Sequence, residues 1–207
     1  MAALCEAVEY LVTHRIPGGI LECGVWRGGS MMAVAETLLR LGVRDRDLFL
    51  CDTFAGMTPP TVVDVAFDGS PAEALLAAQS PADPVSVWCV AGLDEVRANL
   101  AATGYPSERL HFVRGRVEET LPAAAPKQIA LLRLDTDWYE STRHELEHLF
   151  PRIPAGGVLI VDDYGHWQGS QRAVDEYFAR YRTPILLQRI DYTGRLGVVV
   201  GASRQAA

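Results

Sequence analysis

The chain has 207 residues, 49% of them hydrophobic, which suits one globular domain with a substantial core and excludes a disordered or fibrous protein. A net charge of −7, a pI near 5.2 and no dense basic cluster exclude a phosphate-binding stripe, so small molecules rather than nucleic acid are the expected partners. Four cysteines stand singly with no CxxC pair, no apolar run reaches the ~18 residues of a membrane span, and Glu6 and Glu9 interrupt what would be the apolar stretch of a signal peptide. The expectation is a cytoplasmic protein with reduced thiols and no membrane contact.

In chain order, a helix is predicted over 3–14. Short apolar runs follow at 19–23, 47–51, 110–113, 129–134, 157–161, 185–190 and 196–200, alternating with helical patterns at 30–41, 93–102, 139–150 and 170–182. The alternation predicts an α/β fold, a mostly parallel seven-stranded sheet covered on both faces. Only DYTGR separates the last two runs, short enough for a hairpin that makes the last strand antiparallel. Residues 53–90, with Pro59, Pro60, Pro71, Pro81 and Pro84 and little periodicity, read as a lid or binding loop within a single domain, 1–207.

ILECGVWRGGSMMAVAETLLRLG reads as strand, glycine-rich turn and helix. Gly24, Gly28 and Gly29 let backbone approach a ligand, and Ser30 lies at a helix N-terminus, where free N–H groups attract anions. The next strand ends in Asp52, placed to accept hydrogen bonds from ribose hydroxyls. The spacing G-x-x-x-G-G and the lack of a P-loop lysine favour neither NAD nor ATP. A turn that merely needs glycine is the bland alternative, and Asp52 speaks against it.

Two strands end in acids: LDTDWYEST with Asp135 and Asp137, and GGVLIVDDYG with Asp162 and Asp163. Ligands gather outside the carboxyl ends of parallel strands, so these acids converge if the two strands are neighbours. At an effective dielectric of 20, two carboxylates about 4 Å apart repel by roughly 4 kcal/mol, which a hard divalent cation relieves most directly. All-oxygen ligation selects Mg²⁺, Mn²⁺ or Ca²⁺ over zinc. Asp137 lies near enough to take a proton from a hydroxyl at that site. Helix capping would explain one acid per helix, not two pairs.

The motifs ECGVWRGGSMM, CDTFAGM, LRLDTDWYEST and VLIVDDYGHWQGSQRAVDEY, in this order over roughly residues 15–200, resemble those of the macrocin O-methyltransferase family, bacterial enzymes that methylate sugar hydroxyls on macrolides and other glycosylated natural products. The resemblance implies a Rossmann-like class I methyltransferase fold, S-adenosylmethionine as donor, and a small-molecule glycoside acceptor in antibiotic biosynthesis, the chain acting alone or as a homo-oligomer. It implies Mg²⁺ on Asp135, Asp162 and Asp163, with Asp137 as general base. It further implies a donor site made by Glu22, Gly24, Gly28 and Ser30, with Asp52 at the ribose and the Gly115-Arg116-Val117 turn near adenine.

Three other readings compete. HELEH, 144–148, matches the zincin pattern H-E-x-x-H, yet a step of about 100° per residue turns both histidines away from the apolar side of their helix. The D-x-D of LDTD also suits a haloacid-dehalogenase phosphatase, but there it normally opens the core domain, and the glycine loop would be idle. A cofactor-binding module without catalysis is the third, and all four acids of the proposed site are present.

Overall fold

The computed structural model describes residues 1–83 and 85–201; Pro84 and the last six positions of the expected domain lie outside the described residues. The strands are β1 (Gly19–Cys23), β2 (Leu48–Asp52), β3 (Leu110–Arg114), β4 (Ile129–Leu134), β5 (Val158–Val161), β6 (Gln188–Arg189) and β7 (Arg195–Val198). The helices are α1 (Ala2–Thr13), α2 (Gly29–Arg40), α3 (Ala72–Ala78), α4 (Leu93–Ala102), α5 (Val117–Thr120), α6 (Tyr139–His148) and α7 (Gln168–Tyr181). The seven strands form one sheet in the order β3-β2-β1-β4-β5-β7-β6. β1 to β5 are parallel, and β7 runs antiparallel to both β5 and β6.

Side chains two apart on a strand share a face, and the core follows that rule. Ile20, Leu48, Leu50, Leu131, Val158 and Ile160 pack with α1, α2 and α4, whereas Leu21, Cys51, Leu132, Leu134, Leu159 and Val161 pack with α6 and α7. Central strands buried on both faces need continuous apolar runs, and IALLRL and VLIV are such runs.

Two expectations are corrected. The segment expected to be a loop contains α3: AEALLAA has strong intrinsic helix propensity, and its Ala72 and Leu76 bury in a third small core with Ala66, Trp138 and Trp167. The strand expected over 185–190 pairs only at Gln188 and Arg189. Ile185 instead covers β7, where a Cβ on Gly197 would meet the Ile185 side chain at 2.7 Å.

The adjacent glycines of the β1–α2 turn differ in role. Gly28 has φ +82, and a Cβ there would stand 2.8 Å from Leu100 and 3.1 Å from Val96 of α4, whereas Gly29 opens α2 with nothing within 4 Å. Gly28→Ala is therefore expected to cost about 1–3 kcal/mol in urea unfolding, and Gly29→Ala to be neutral or to stabilise by about 0.4–1 kcal/mol. Equal losses at both positions would contradict this assignment.

Candidate active site

The parallel strands all deliver their following loops to one edge of the sheet, where their ladders continue by one bond each. Gly24 N–H donates to the Cys51 carbonyl, Gly115 N–H to Asp52, Asp135 N–H to Cys23 and Asp162 N–H to Leu134, all at 2.9 Å. Gly24 is required there: at φ +79, a Cβ would sit 2.0 Å from the Asp135 carbonyl oxygen. A cavity of about 250 Å³ opens over this edge, lined by Gly24, Asp52, Gly115, Arg116, Val117, Asp135 and Asp137 among the expected residues.

Glu22, Gly28 and Ser30 do not line it. Gly28 packs against α4, Ser30 lies in the first turn of α2 near the Glu22 side chain, and Glu22 is 1% exposed. The physical reason is strand parity: Glu22 is in register with Arg133 on the neighbouring β4 and points to the same face, where the two side chains pair. Asp52 lines the cavity but also holds the protein together, accepting Val25 N–H at 2.7 Å, Trp26 N–H at 3.1 Å and Phe54 N–H at 2.7 Å.

Arg133 is the centre of the acidic site. Its guanidinium bonds Glu22 and Asp135 at 2.5 Å through one nitrogen and Asp162 at 2.6 Å through the other, with 11% of the side chain exposed. Sequence reading missed it as one more residue in an apolar strand. The available signal was an always-charged side chain inside a run that buries on both faces.

The metal-type cluster is assembled as expected: Asp135, Asp162 and Asp163 each bring an oxygen within 4.8 Å of the others. Burial pushes Asp163 well above the usual carboxylate range, and the charges of Asp137, Asp135 and Asp162 push the same way. Burial also raises Asp135, against the pull of Arg133. Asp137 is pushed up to about 6, mainly by burial, while hydrogen bonds with Asp163 and Trp167 oppose the shift. Three converging carboxylate oxygens, with neighbouring negative charge helping to push Asp135 and Asp163 up, form a donor set that a hard cation would relieve, so the residues fit Mg²⁺.

Asp137 sits at φ +66, a strained conformation for a residue with a side chain, and its N–H donates to Asp163 Oδ2 at 3.1 Å. Two further acids escaped the sequence reading. Glu118 lines the cavity just past the Gly115-Arg116-Val117 turn and accepts the Ser141 hydroxyl at 3.0 Å. Glu145, in the HELEH stretch, is fully buried and bonds Thr136 Oγ1 at 3.1 and 3.2 Å, and burial holds it well above the carboxylate range. The rings of His144 and His148 stand 4.4 Å apart, but His148 is exposed, His144 bonds the Leu121 carbonyl at 3.0 Å, neither lines the cavity, and Glu145 is buried on the other side against Thr136, so HELEH does not form a zincin site.

The family model described as Macrocin-O-methyltransferase (TylF) matches residues 1–196. The chain is 34% identical over 189 residues to the demethyldecarbamoylnovobiocin O-methyltransferase of Streptomyces niveus, covering 91% of this chain and 69% of that protein. It is also 34% identical over 187 residues to the 8-demethyl-8-(2,3-dimethoxy-alpha-L-rhamnosyl)-tetracenomycin-C 4'-O-methyltransferase of Streptomyces olivaceus, covering 90% and 68%. Among solved structures it matches the O-methyltransferase NovP with a TM-score of 0.82 at 32% identity, over 96% of this chain and 78% of that one.

Removing Arg133 strands three carboxylates. Arg133→Met is expected to lower stability at about pH 8 by about 3–5 kcal/mol in urea unfolding. Carboxyls whose folded pKa lies above the unfolded value bind more protons in the folded state, so the deficit should shrink as pH falls through about 7, the value to which burial already pushes Glu22. A deficit independent of pH would contradict the ion-pair account.

Proposed function

We propose that this chain, which belongs to the macrocin O-methyltransferase family, methylates a sugar hydroxyl of a glycosylated natural product in the cytoplasm, using Mg²⁺ and Asp137 as general base. The chain is an S-adenosylmethionine-dependent O-methyltransferase by that membership. The sugar acceptor rests on relatives such as the Streptomyces olivaceus enzyme, whose named acceptor carries a rhamnosyl group. The observation that carries the residue roles is the convergence of Asp135, Asp137, Asp162 and Asp163, from two neighbouring strand ends, beside one cavity.

In this reading Asp52 accepts the ribose hydroxyls, Gly24 lets the donor lie close to the backbone, and the Gly115-Arg116-Val117 turn borders adenine, with Glu118 able to accept from its amino group. Glu22 and Ser30 serve through the pairing with Arg133, and Gly28 through its packing on α4. Asp135, Asp162 and Asp163 would hold the divalent cation, which would supply charge that lowers the pKa of an acceptor hydroxyl. Asp137 takes the hydroxyl proton. The new O–C bond forms as the C–S bond breaks, and its electron pair stays on sulfur as a neutral sulfide. The protein's remaining task is to align oxygen, methyl and sulfur and to keep water out.

The phosphatase reading gains nothing from this arrangement, because the D-x-D strand is central β4 and the glycine turn borders the cavity. Calorimetry should show S-adenosylhomocysteine binding with a dissociation constant on the order of micromolar. Asp137→Asn should keep that binding and lose about 10²–10⁴-fold in turnover on a rhamnosylated acceptor. Asp162→Asn should need more Mg²⁺ for half-maximal rate, and EDTA should stop turnover of the wild type. Unchanged turnover in Asp137→Asn would remove the base assignment, and full activity in EDTA would remove the metal.

A further inference from the structure

We propose that Asp64, in the proline-rich segment, is a positioning residue whose one carboxylate ties that segment to the loop carrying Asp137. The inference rests on the reading of Asp137 as the base, and it extends the working site to a residue that does not itself line the catalytic cavity, although Thr53, Gly56, Met57, Thr58 and Cys89 of the same segment do.

Asp64 is 1% exposed. Its Oδ1 accepts the N–H of Tyr139 at 2.7 Å, across 75 residues of chain. Its Oδ2 accepts the N–H and the hydroxyl of Thr61, at 2.7 and 2.8 Å. Tyr139 is the first residue of α6 and stands two residues after Asp137, so a carboxylate from the proline-rich segment accepts the first N–H of the helix that follows the Asp137 loop. One residue earlier, Trp138 Nε1 donates to the Thr58 carbonyl at 2.9 Å, a second tie to the same segment.

The space around Asp64 fixes the carboxylate. A Cβ on Gly169 of α7 would meet Oδ1 at 2.2 Å and the Tyr139 N and Cβ at 3.2 Å, so only glycine lets the three elements close on each other. The Asp64 carbonyl accepts Ala72 N–H at 2.9 Å, which anchors the start of α3 to the same point.

The turn from β4 into α6 is thus held from three separate places. Asp135 N–H goes to β1, Asp137 N–H to the Asp163 carboxylate and Tyr139 N–H to Asp64. A residue at φ +66 keeps that conformation only where its surroundings over-determine it. Asp64 is the member of the set that belongs to the proline-rich segment, so it links the placement of that segment to the aim of the Asp137 carboxylate. A misplacement of about 1 Å at a reacting group can cost about 10²-fold in rate.

Asp64→Asn is the sharp variant, because it keeps the volume and replaces one acceptor oxygen by a donor. Either orientation then sets an NH₂ group against the N–H of Tyr139 or of Thr61, and one carboxylate no longer serves both. The expected result is a fall in kcat of about tenfold, with KM for S-adenosylmethionine and binding of S-adenosylhomocysteine within about twofold of wild type. Amide hydrogen exchange at Tyr139 or Thr61 should be at least about tenfold faster. Wild-type kcat with wild-type exchange at both amides overturns the proposal, and so does a loss of S-adenosylhomocysteine binding parallel to the loss of kcat. Should Asp64→Asn fail to fold, Thr61→Val decides: a kcat loss of about threefold with donor affinity kept supports the tie, and wild-type kcat overturns it. The exchange measurement needs no base at Asp137, so full turnover in Asp137→Asn would remove the base reading while exchange still judged the tie.

Discussion

A single buried cation, Arg133, is the constraint around which the acidic edge of the sheet is organised. Taking an arginine out of water costs several kcal/mol unless it is paired, and three carboxylates pair it here, from β1, from the end of β4 and from the end of β5. The reverse also holds, since Glu22 is fully buried and its charge has Arg133 as its main support. Because Glu22 and Arg133 are direct neighbours in the parallel ladder, a slip of one residue between β1 and β4 would turn one of them to the other face. The pair therefore specifies register at the two central strands, and through register it fixes where Gly24 and Asp135 emerge.

Arg133 also changes how the four acids are understood. Converging carboxylates need compensating positive charge, and the protein supplies part of it itself. Asp135 and Asp162 each spend an oxygen on the guanidinium, while the Asp163 carboxylate accepts the N–H of Asp137.

The strand-and-helix order and the acids at strand ends were legible because parallel central strands bury on both faces and write themselves as apolar runs such as IALLRL and VLIV. The edge of the sheet was less legible. β6 is short because Ile185 packs over β7 instead of joining a ladder, a tertiary choice invisible in LLQR. Prolines on both sides hid α3, whose Ala-Leu-Glu content was the available signal. Glu22, Arg133, Glu145 and Asp64 were legible as letters but not as a set. Glu22 and Arg133 stand 111 residues apart and Asp64 and Tyr139 75, and only strand register or helix packing brings such pairs together.

Three of the six described non-glycine residues with left-handed backbone line the cavity. Trp26, Cys89 and Asp137 line the cavity with φ of 45°, 46° and 66°, and each is a non-glycine residue in the left-handed region. Such backbone is maintained by bonds from outside the loop, as Asp52 supplies to Trp26 and Asp163 to Asp137. The same wall is acidic, with Asp52, Glu118, Asp135 and Asp137 around one cavity. A sulfonium donor carries a positive charge, and its product is a neutral sulfide. For a donor bound as proposed, Coulomb attraction to the wall would act on the sulfonium and vanish once the methyl group has moved. That difference would favour exchange of spent donor for fresh, from the same excess of carboxylates that Arg133 offsets.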